Sequence, residues 1–313
     1  MRKIYILIIG LLLIPVALWS QQESNFVFRD NHGKAVYLPL GKISFADKVH
    51  SFHLGFPRPL TIFRDSTQSL GTPDYVDYRQ PDFVSIGCGG QLILTFNDNG
   101  FMNLKGDDLY IFEVGPSREG VRVEISMDGE RWHYAGATSG GKSMINFSDF
   151  RIPADQIYYY VRLTDLKDEC TGRTAGADID AVAAINSVIK LTLNADVLFD
   201  VDSTYLKEAS QATLDSISSL LKGVRSATIL VEGHTDSDGE AQYNYDLSYN
   251  RCYSVVQKLK ALLIDDSPFA FEIKALGELS PRVPNDTEGN KQLNRRVEIT
   301  VLPPGTYYEN IRE

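Results

Sequence analysis

Two opposite charges flank a polar stretch near the middle of the second half of the chain. Asp236 closes the run Glu232-Gly233-His234-Thr235-Asp236, and Arg251 follows on what periodicity predicts is a helix beginning near Glu240. In such a helix Asn244, Leu247, Ser248 and Arg251 fall at i, i+3, i+4 and i+7 and share one face. A carboxylate in the turn before the helix can pair with an ammonium group, and the planar fork of Arg251 can grip a carboxylate through two hydrogen bonds. Free N–H groups at the helix start add partial positive charge. The pattern suits a zwitterion carrying both charges on one carbon. Each residue also has a plainer reading: Asp236 as a turn former, Arg251 as a surface ion-pair partner, Asn244 as either a ligand contact or a turn cap. His234 invites a metal reading, but no second His or Cys lies at ligand spacing, so a structural polar role is expected.

The elements that would hold these residues alternate between strand and helix. Strand patterns occupy 188–193, 197–199, 227–232, 269–275 and 296–302, the last with Val297, Ile299 and Val301 on one face. Ser203-Thr204 can cap a helix running to about Lys222, with Leu206, Ala209, Leu214, Ile217 and Leu221 in helical period. A second helix covers about 240–263, with Pro268 after its end. The expected fold of this half is an α/β sandwich, helices packed on one face of a mixed four-stranded sheet.

Motifs through this half resemble the OmpA-like C-terminal domain, a peptidoglycan-binding family. They are Leu198-Phe199-Asp200, Leu214-Asp215-Ser216-Ile217, Glu232-Gly233-His234-Thr235-Asp236, Tyr243-Asn244, Leu247-Ser248, Arg251, Gly277-Glu278, Pro281, Asn285-Asp286-Thr287 and Asn294-Arg295-Arg296-Val297-Glu298-Ile299. The resemblance implies that Asp236 and Arg251 hold meso-diaminopimelate of the peptidoglycan stem peptide, with Thr235, Asn244 and Asn294 as further ligand contacts. Arg295 is left between lining the site and supporting the last strand, and Arg296 is expected to support. Two positions depart from the family pattern. Cys252 stands where a small alanine is usual, and Ala275-Leu276-Gly277-Glu278 replaces a more glycine-rich version.

The first half has a different texture. Short β-branched and aromatic runs at 85–86, 91–96, 108–114, 121–126, 132–136, 158–164 and 181–185 lie between Gly, Pro, Asn and Asp clusters. Met127-Asp128-Gly129-Glu130-Arg131 reads as a hairpin turn. Residues 36–40 and 43–45 suit edge strands, because Pro39, Pro57 and Pro59 argue against central ones. The expectation is an all-β, jelly-roll-like sandwich. Leu70-Gly71-Thr72-Pro73-Asp74, Val84-Ser85-Ile86-Gly87-Cys88-Gly89-Gly90, Gly106-Asp107-Asp108-Leu109-Tyr110-Ile111-Phe112-Glu113, Val123-Glu124-Ile125-Ser126-Met127-Asp128-Gly129 and Gly176-Ala177-Asp178-Ile179-Asp180-Ala181-Val182 resemble galactose-binding-like domains. That resemblance, with acids bunched at strand ends, implies a structural Ca²⁺ held by Asp108 and Asp180 with Asp178 and Glu113. Solvated turn residues are the alternative. Tyr75, Tyr78 and Tyr134 are candidates for a sugar or protein partner, or for core and cross-strand pairs.

Composition sets the outer limits. The 313 residues carry a formal charge of −10. Residues 1–20 read as a signal peptide: Arg2-Lys3, an apolar run from Ile4 to Val16, and Ala17-Leu18-Trp19-Ser20 at the end. Cleavage would take the charge to −12. So acidic a chain has no electrostatic reason to bind nucleic acid. No later stretch is apolar enough to span a membrane. The expected layout is a signal peptide (1–20), a β-sandwich domain (21–187), an OmpA-like domain (188–304) and a tail (305–313). In an oxidising compartment Cys88 and Cys170 are either a disulfide or two buried thiols, with Cys252 left over. No cofactor is required. The functional expectation is a non-catalytic protein of the periplasm or cell envelope, attached to the wall and associated with the outer membrane. The alternatives are a cell-wall enzyme using an acid pair such as Glu113 and Asp180, or a periplasmic accessory of a motor or secretion complex.

Overall fold

The computed structural model describes residues 25–115, 119–138, 143–168, 170–263 and 269–304. The expected leader, Pro268 and the tail lie outside the described residues. Among the described residues, no helix is long and apolar enough to cross a membrane.

The first half is built of strands: β1 (Val27–Arg29), β2 (Ala35–Tyr37), β3 (Lys48–His53), β4 (Val84–Ser85), β5 (Gln91–Thr95), β6 (Gly100–Phe101), β7 (Leu109–Glu113), β8 (Val121–Ser126), β9 (His133–Ala137), β10 (Met144–Ile145), β11 (Tyr160–Asp165) and β12 (Asp178–Ala184). β1 and β2 form a ribbon of their own, and two sheets follow the orders β10-β7-β12-β4 and β3-β5-β11-β8-β9. Side-chain alternation fixes how the sheets meet. In β8, Val121, Val123 and Ile125 are buried while Arg122 and Glu124 face outward. The inward residues pack with Leu92, Leu94, Val161 and Leu163 of their own sheet against Leu109, Ile111 and Ile179 of the other, in one buried cluster. Cys88 and Cys170 are joined in a disulfide that spans 82 residues of sequence.

The second half runs β13 (Ser187–Asn194), α1 (Ala195–Leu198), α2 (Gln211–Leu221), β14 (Ala227–His234), α3 (Ala241–Leu262), β15 (Phe269–Gly277), α4 (Glu288–Asn294) and β16 (Arg296–Leu302). Its sheet has the order β15-β14-β16-β13-β6. β14 and β15 are parallel, and β16 is antiparallel to both β14 and β13. Leu214, Ile217 and Leu221 of α2 and Cys252, Val255, Val256 and Leu259 of α3 cover one face, over Ile189, Ile229, Val231, Val297, Ile299 and Val301. The expected four strands gain a fifth from the first half, because β6 pairs with the start of β13 through Ser187–Phe101 and Val188–Gly100 register. On the face away from the helices, Val188, Leu230 and Leu302 pack against Met102 and Leu104. The two halves therefore share a strand pairing and a buried cluster.

Three local expectations need correcting. Residues 197–199 are not a strand: α1 forms instead, and the Asn194 side chain caps it by accepting from Asp196 N. The helix expected from Ser203 begins only at Gln211. Side chains of α3 take the loop carbonyls that a helix would need, with Arg251 donating to Asp200 and Ser203 and Ser254 donating to Thr204. Residues 43–45 form no edge strand. Gly41–Ser44 is a 3-10 turn entered through positive φ at Gly41, and the preceding Leu40 is buried in the core of the second half.

Candidate functional site

The pocket depends on a close approach of α3 to the end of β14. A Cβ on Gly233 would stand 2.5 Å from the Ser248 carbonyl oxygen and 2.7 Å from Cys252 Sγ, so only glycine lets the helix press this near. Ser248 Oγ accepts from Gly277 N at 3.1 Å, which ties the end of β15 to the same helix turn. The loop after β14 is then held over the helix start, where Thr235 N donates to the Gly277 carbonyl at 2.9 Å. Asn244 donates to Glu278 Oε2 at 2.6 Å and to the Asp236 carbonyl at 3.4 Å.

Asp236 and Arg251 line one pocket of about 340 Å³, together with Thr235, Tyr243, Asn244 and Leu247 of the loop and α3. Asp196, Asp202, Asp238, Glu288 and Arg295 complete the charged wall. The Asp236 carboxylate is buried and oriented from both ends: Oδ2 accepts from Arg295 Nη1 at 2.7 Å and Oδ1 from Asp238 N at 3.1 Å. Arg295 also donates to Asp196 at 3.2 and 3.1 Å and to Glu288 at 2.8 Å. Burial opposes its charge, but these three carboxylates outweigh it and hold the guanidinium above its usual range.

Arg251 stands differently. It is 5% exposed and lies over the Phe199 ring at 5.3 Å. Its Nε and Nη2 donate to the carbonyls of Ser203 and Asp200 at 3.0 and 3.5 Å. Among the described residues it makes no ion pair, and burial pulls its pKa below the ordinary value. A buried cation without a carboxylate, opening on a pocket, is a seat for an anionic group. Asp196 and Asp202 lie near enough to favour the Arg251 charge, and with Asp236, Asp238 and Glu288 they give the pocket a field that suits a cation.

Asn294 lies outside this pocket. Its side chain is fully buried and clamps the 282–285 loop, accepting from Arg282 N and Val283 N and donating to Val283 O and Asn285 Oδ1 at 2.8–3.1 Å. With both amide ends engaged, it acts on the site only through that loop. Arg296 donates to Glu298 Oε1 at 2.6 Å and to the Ser280 carbonyl at 3.2 Å, a supporting position. His234 is buried with neither ring nitrogen partnered among the described residues, and burial pushes its pKa down to about 4, so the ring is neutral. Cys252 is fully buried, and burial pushes its thiol up to about 12.

The four acids considered for calcium do not converge. Among the described residues the one His/Cys/Asp/Glu group close enough to share an ion is Cys88, Asp165 and Cys170, and two of its members are the disulfide. Asp108 is fully buried and accepts from Leu104 N, Phe147 N and Asn186 Nδ2. Asp180 accepts from Asp74 N, Asp178 from Ser85 Oγ and Glu113 from Thr138 Oγ1. Each already bonds within the chain, and burial raises their pKa values to about 7 for Asp108, Asp180 and Glu113 and about 8 for Asp178. Glu113 and Asp180, the acid pair of the enzymatic alternative, have separate hydrogen-bond partners. Tyr75 packs edge-on to Phe83 at 5.8 Å, while Tyr78 and Tyr134 are exposed.

The sequence leaves Arg295 open between lining and support, and it does not mark Asp196, Asp202, Asp238 or Glu288 as site residues. One signal existed: Glu288 and Arg295 stand at i and i+7, a spacing of two helical turns, with Glu288 at the start of what proves to be α4 and Arg295 just past its end. Nothing local marks Asp196, which reaches Arg295 from the other end of the domain.

Residues 198–295 match the OmpA family model, and this part of the chain is an OmpA-like domain. The chain is 36% identical over 113 residues to "Outer membrane protein A" of Bordetella avium, covering 36% of this chain and 57% of that protein. It is 33% identical over 144 residues to "Outer membrane porin F" of Pseudomonas aeruginosa, covering 44% and 39%. It is 32% identical over 145 residues to "Probable lipoprotein YiaD" of Escherichia coli, covering 46% and 64%. The chain thus spans between about two fifths and two thirds of the length of these relatives.

Proposed function

We propose that the chain is a non-catalytic cell-envelope protein that binds peptidoglycan through its OmpA-like half. The ligand is the zwitterionic centre of meso-diaminopimelate in the stem peptide. Asp236 takes the ammonium group, and Arg251, with the start of α3, takes the carboxylate. The first half, read as a jelly-roll-like sandwich domain meeting the second near residue 187, is presented from that anchor. The setting is the periplasmic side of the envelope, reached by the signal peptide and in keeping with the outer-membrane names of the relatives.

The observation that carries this reading is the buried Arg251 guanidinium, which has no carboxylate partner among the described residues and opens on an acid-walled pocket. A pocket with net negative lining and one unanswered cation selects a ligand bearing both charges, oriented one way only. Co-sedimentation with purified sacculi tests it. The parent chain pellets saturably, and Arg251→Ala stays in the supernatant while its circular dichroism spectrum is unchanged. Pelleting of a folded Arg251→Ala at parent affinity sinks the proposal.

A further inference from the structure

The two edges of the second-half sheet differ. β6, from the first half, pairs with β13 at one edge, while at the other β15 pairs only with β14 among the described residues. β15 is nine residues long, Phe269-Ala270-Phe271-Glu272-Ile273-Lys274-Ala275-Leu276-Gly277. Its outer side presents a row of N–H and C=O groups about 30 Å long. Proteins blunt such an edge with proline, outward lysines, a bulge or a covering loop. β15 has no proline, and its one lysine, Lys274, is turned back onto Glu232 at 3.0 Å. Toward the helices it shows Phe269, Phe271 and Ile273, which are only half-buried against the core.

α3 continues this edge with a row of rings. Tyr245, Tyr249 and Tyr253 recur at i, i+4 and i+8 and are 46%, 44% and 49% exposed. Lys260 stands at i+7 from Tyr253, on the same side of the helix, and its Nζ lies 5.4 Å from the centre of the Phe271 ring. A Cβ on Gly277 would stand 3.0 Å from Tyr245 N. The tyrosines therefore flank β15, turned away from the pocket face of Asn244 and Arg251. Single exposed rings are ordinary, but three in line beside an unpaired strand make an interaction surface, where tyrosine supplies apolar area with a polar tip.

The sequence of β15 selects the partner. Paired antiparallel with a second copy over its whole length, the strand centres on Ile273. Phe269 then faces the partner's Gly277, Phe271 faces the partner's Ala275, Glu272 faces the partner's Lys274, and Ile273 faces the partner's Ile273. Large side chains meet small ones, and the twofold axis repeats the opposite-charge pair. A shift of two residues either way — the smallest that keeps side chains on their faces — sets Glu272 or Lys274 opposite its own copy. The axis stands perpendicular to the sheet, so both α3 helices lie on one face and their tyrosine rows meet. A lone extended peptide would pair with the edge and leave the tyrosines uncovered, whereas a second copy covers both.

We propose that β15 and the tyrosine row of α3 form the interface of a twofold-symmetric homodimer, in which two copies of the second-half sheet join edge to edge. The two α3 helices run antiparallel across the axis, so their pockets open at opposite ends of the joined sheet. The dimer carries two pockets on one frame, and a wall that engages both holds it more tightly than one pocket can. In that last consequence alone the inference rests on the peptidoglycan reading; the dimer itself is measured without wall, so failure of one is told apart from failure of the other.

Sedimentation equilibrium of the purified chain shows a monomer–dimer equilibrium. Two variants disturb it at exposed or half-exposed positions: the pair Tyr249→Glu and Tyr253→Glu, and Glu272→Lys, which sets lysine opposite lysine twice. Each raises the dimer dissociation constant by about tenfold or more, with the circular dichroism spectrum unchanged. Cysteine linking reads the register. Ile273→Cys, which meets its own copy, closes a reducible dimer in oxidised glutathione. Ala270→Cys, which faces the partner's Leu276, does not. A chain that stays monomeric up to its solubility limit overturns the proposal and leaves the edge to an extended segment of another protein. So does a dimer of parent strength in the folded tyrosine and Glu272→Lys variants, which would use another face. Linking through Ala270→Cys as readily as through Ile273→Cys overturns the pairing.

Discussion

Replacing Asp236 by asparagine separates binding from folding. The substitution keeps the shape of the side chain and one acceptor oxygen for Asp238 N, and removes the charge. Arg295 loses one ionic partner but keeps Asp196 and Glu288. The Asp236–Arg295 pair is largely shielded from solvent, with side-chain exposures of 10% and 21%. The amide has one oxygen for two donors: with it on Asp238 N, its NH2 faces the Arg295 fork, so the loss of stability is about 1–3 kcal/mol. Each kcal/mol lowers Tm by about 2–4 °C at this size. The loss in binding is larger, because the ligand ammonium is stranded in a desolvated pocket. That costs about 2–5 kcal/mol, a weakening of about 30- to 5,000-fold in Kd. The assay is co-sedimentation with sacculi at a series of protein concentrations, paired with thermal melting of the same preparations. Asp196→Asn serves as control: it also removes a partner of Arg295 but leaves the Asp236 charge, and binding weakens only slightly. Parent affinity in a folded Asp236→Asn, or equal losses in the two variants, refutes the ammonium assignment.

Reduction of the Cys88–Cys170 bond frees a loop of 82 residues, for which chain entropy alone predicts a loss of about 4.5 kcal/mol; urea unfolding followed through Trp132 with and without reductant checks this, and superimposable curves contradict it. Cys252 stays unreactive toward an aromatic disulfide reagent at neutral pH in the native chain and reacts only on unfolding, since burial holds its thiol near 12; rapid native-state labelling contradicts this. The two halves respond oppositely to pH. Asp178 and Glu113 have folded pKa values raised to about 8 and 7, so their contribution is full below their unfolded values near 4 and is lost as pH climbs through 7–8. His234 has its folded value lowered to about 4, so its contribution is full above 6.5 and is lost as pH falls toward 4. Asp178→Asn therefore flattens the alkaline side of the stability profile and His234→Gln the acid side, measured as urea midpoints; an unchanged slope in either variant defeats the corresponding assignment.

The legible parts of the fold were those where a side-chain period meets one dominant environment. β8 alternates cleanly because one face meets the sandwich core and the other meets solvent, and β16 is legible through Val297, Ile299 and Val301 on the helix-covered face, although its other face is buried as well. α3 was readable because its buried side chains follow a helical period from Asn244 to Leu259. Failures came where tertiary hydrogen bonds override local preference. The segment after Ser203 has helical periodicity, yet Arg251 and Ser254 draw its carbonyls to α3 and delay the helix to Gln211. Asn294 looks like a ligand contact because it sits in the motif next to Arg295; only the folded loop shows that its amide is spent on Val283 and Asn285. The acids of the first half follow the same rule. Glu113 ends β7 beside Asp178 at the start of the paired β12, but Asp178 is spent on Ser85 and Glu113 on Thr138, so the clustering reflects strand ends whose carboxylates already have partners.

Arg295 raises the remaining physical question, since a guanidinium already on Asp236 would repel an incoming ammonium. The geometry resolves it. Arg295 approaches Oδ2 of Asp236 and the Asp238 amide approaches Oδ1, leaving further lone pairs on a carboxylate that has about four. Asp196 and Glu288 on Arg295 neutralise most of its field, and the pocket acids Asp196, Asp202, Asp236, Asp238 and Glu288 outnumber Arg251 and Arg295. The net effect at the mouth favours a cation, while Arg295 keeps the Asp236 side chain in a single orientation. The ordering cost is then met on folding and not on binding. Arg251 is prepared in the same manner by the Ser203 and Asp200 carbonyls, so both charges of the site are fixed before a ligand arrives. If that reasoning holds, Arg295→Gln weakens binding by releasing Asp236, even though it removes a charge of the same sign as the ammonium; tighter binding by Arg295→Gln would show that repulsion, and not orientation, is the larger effect.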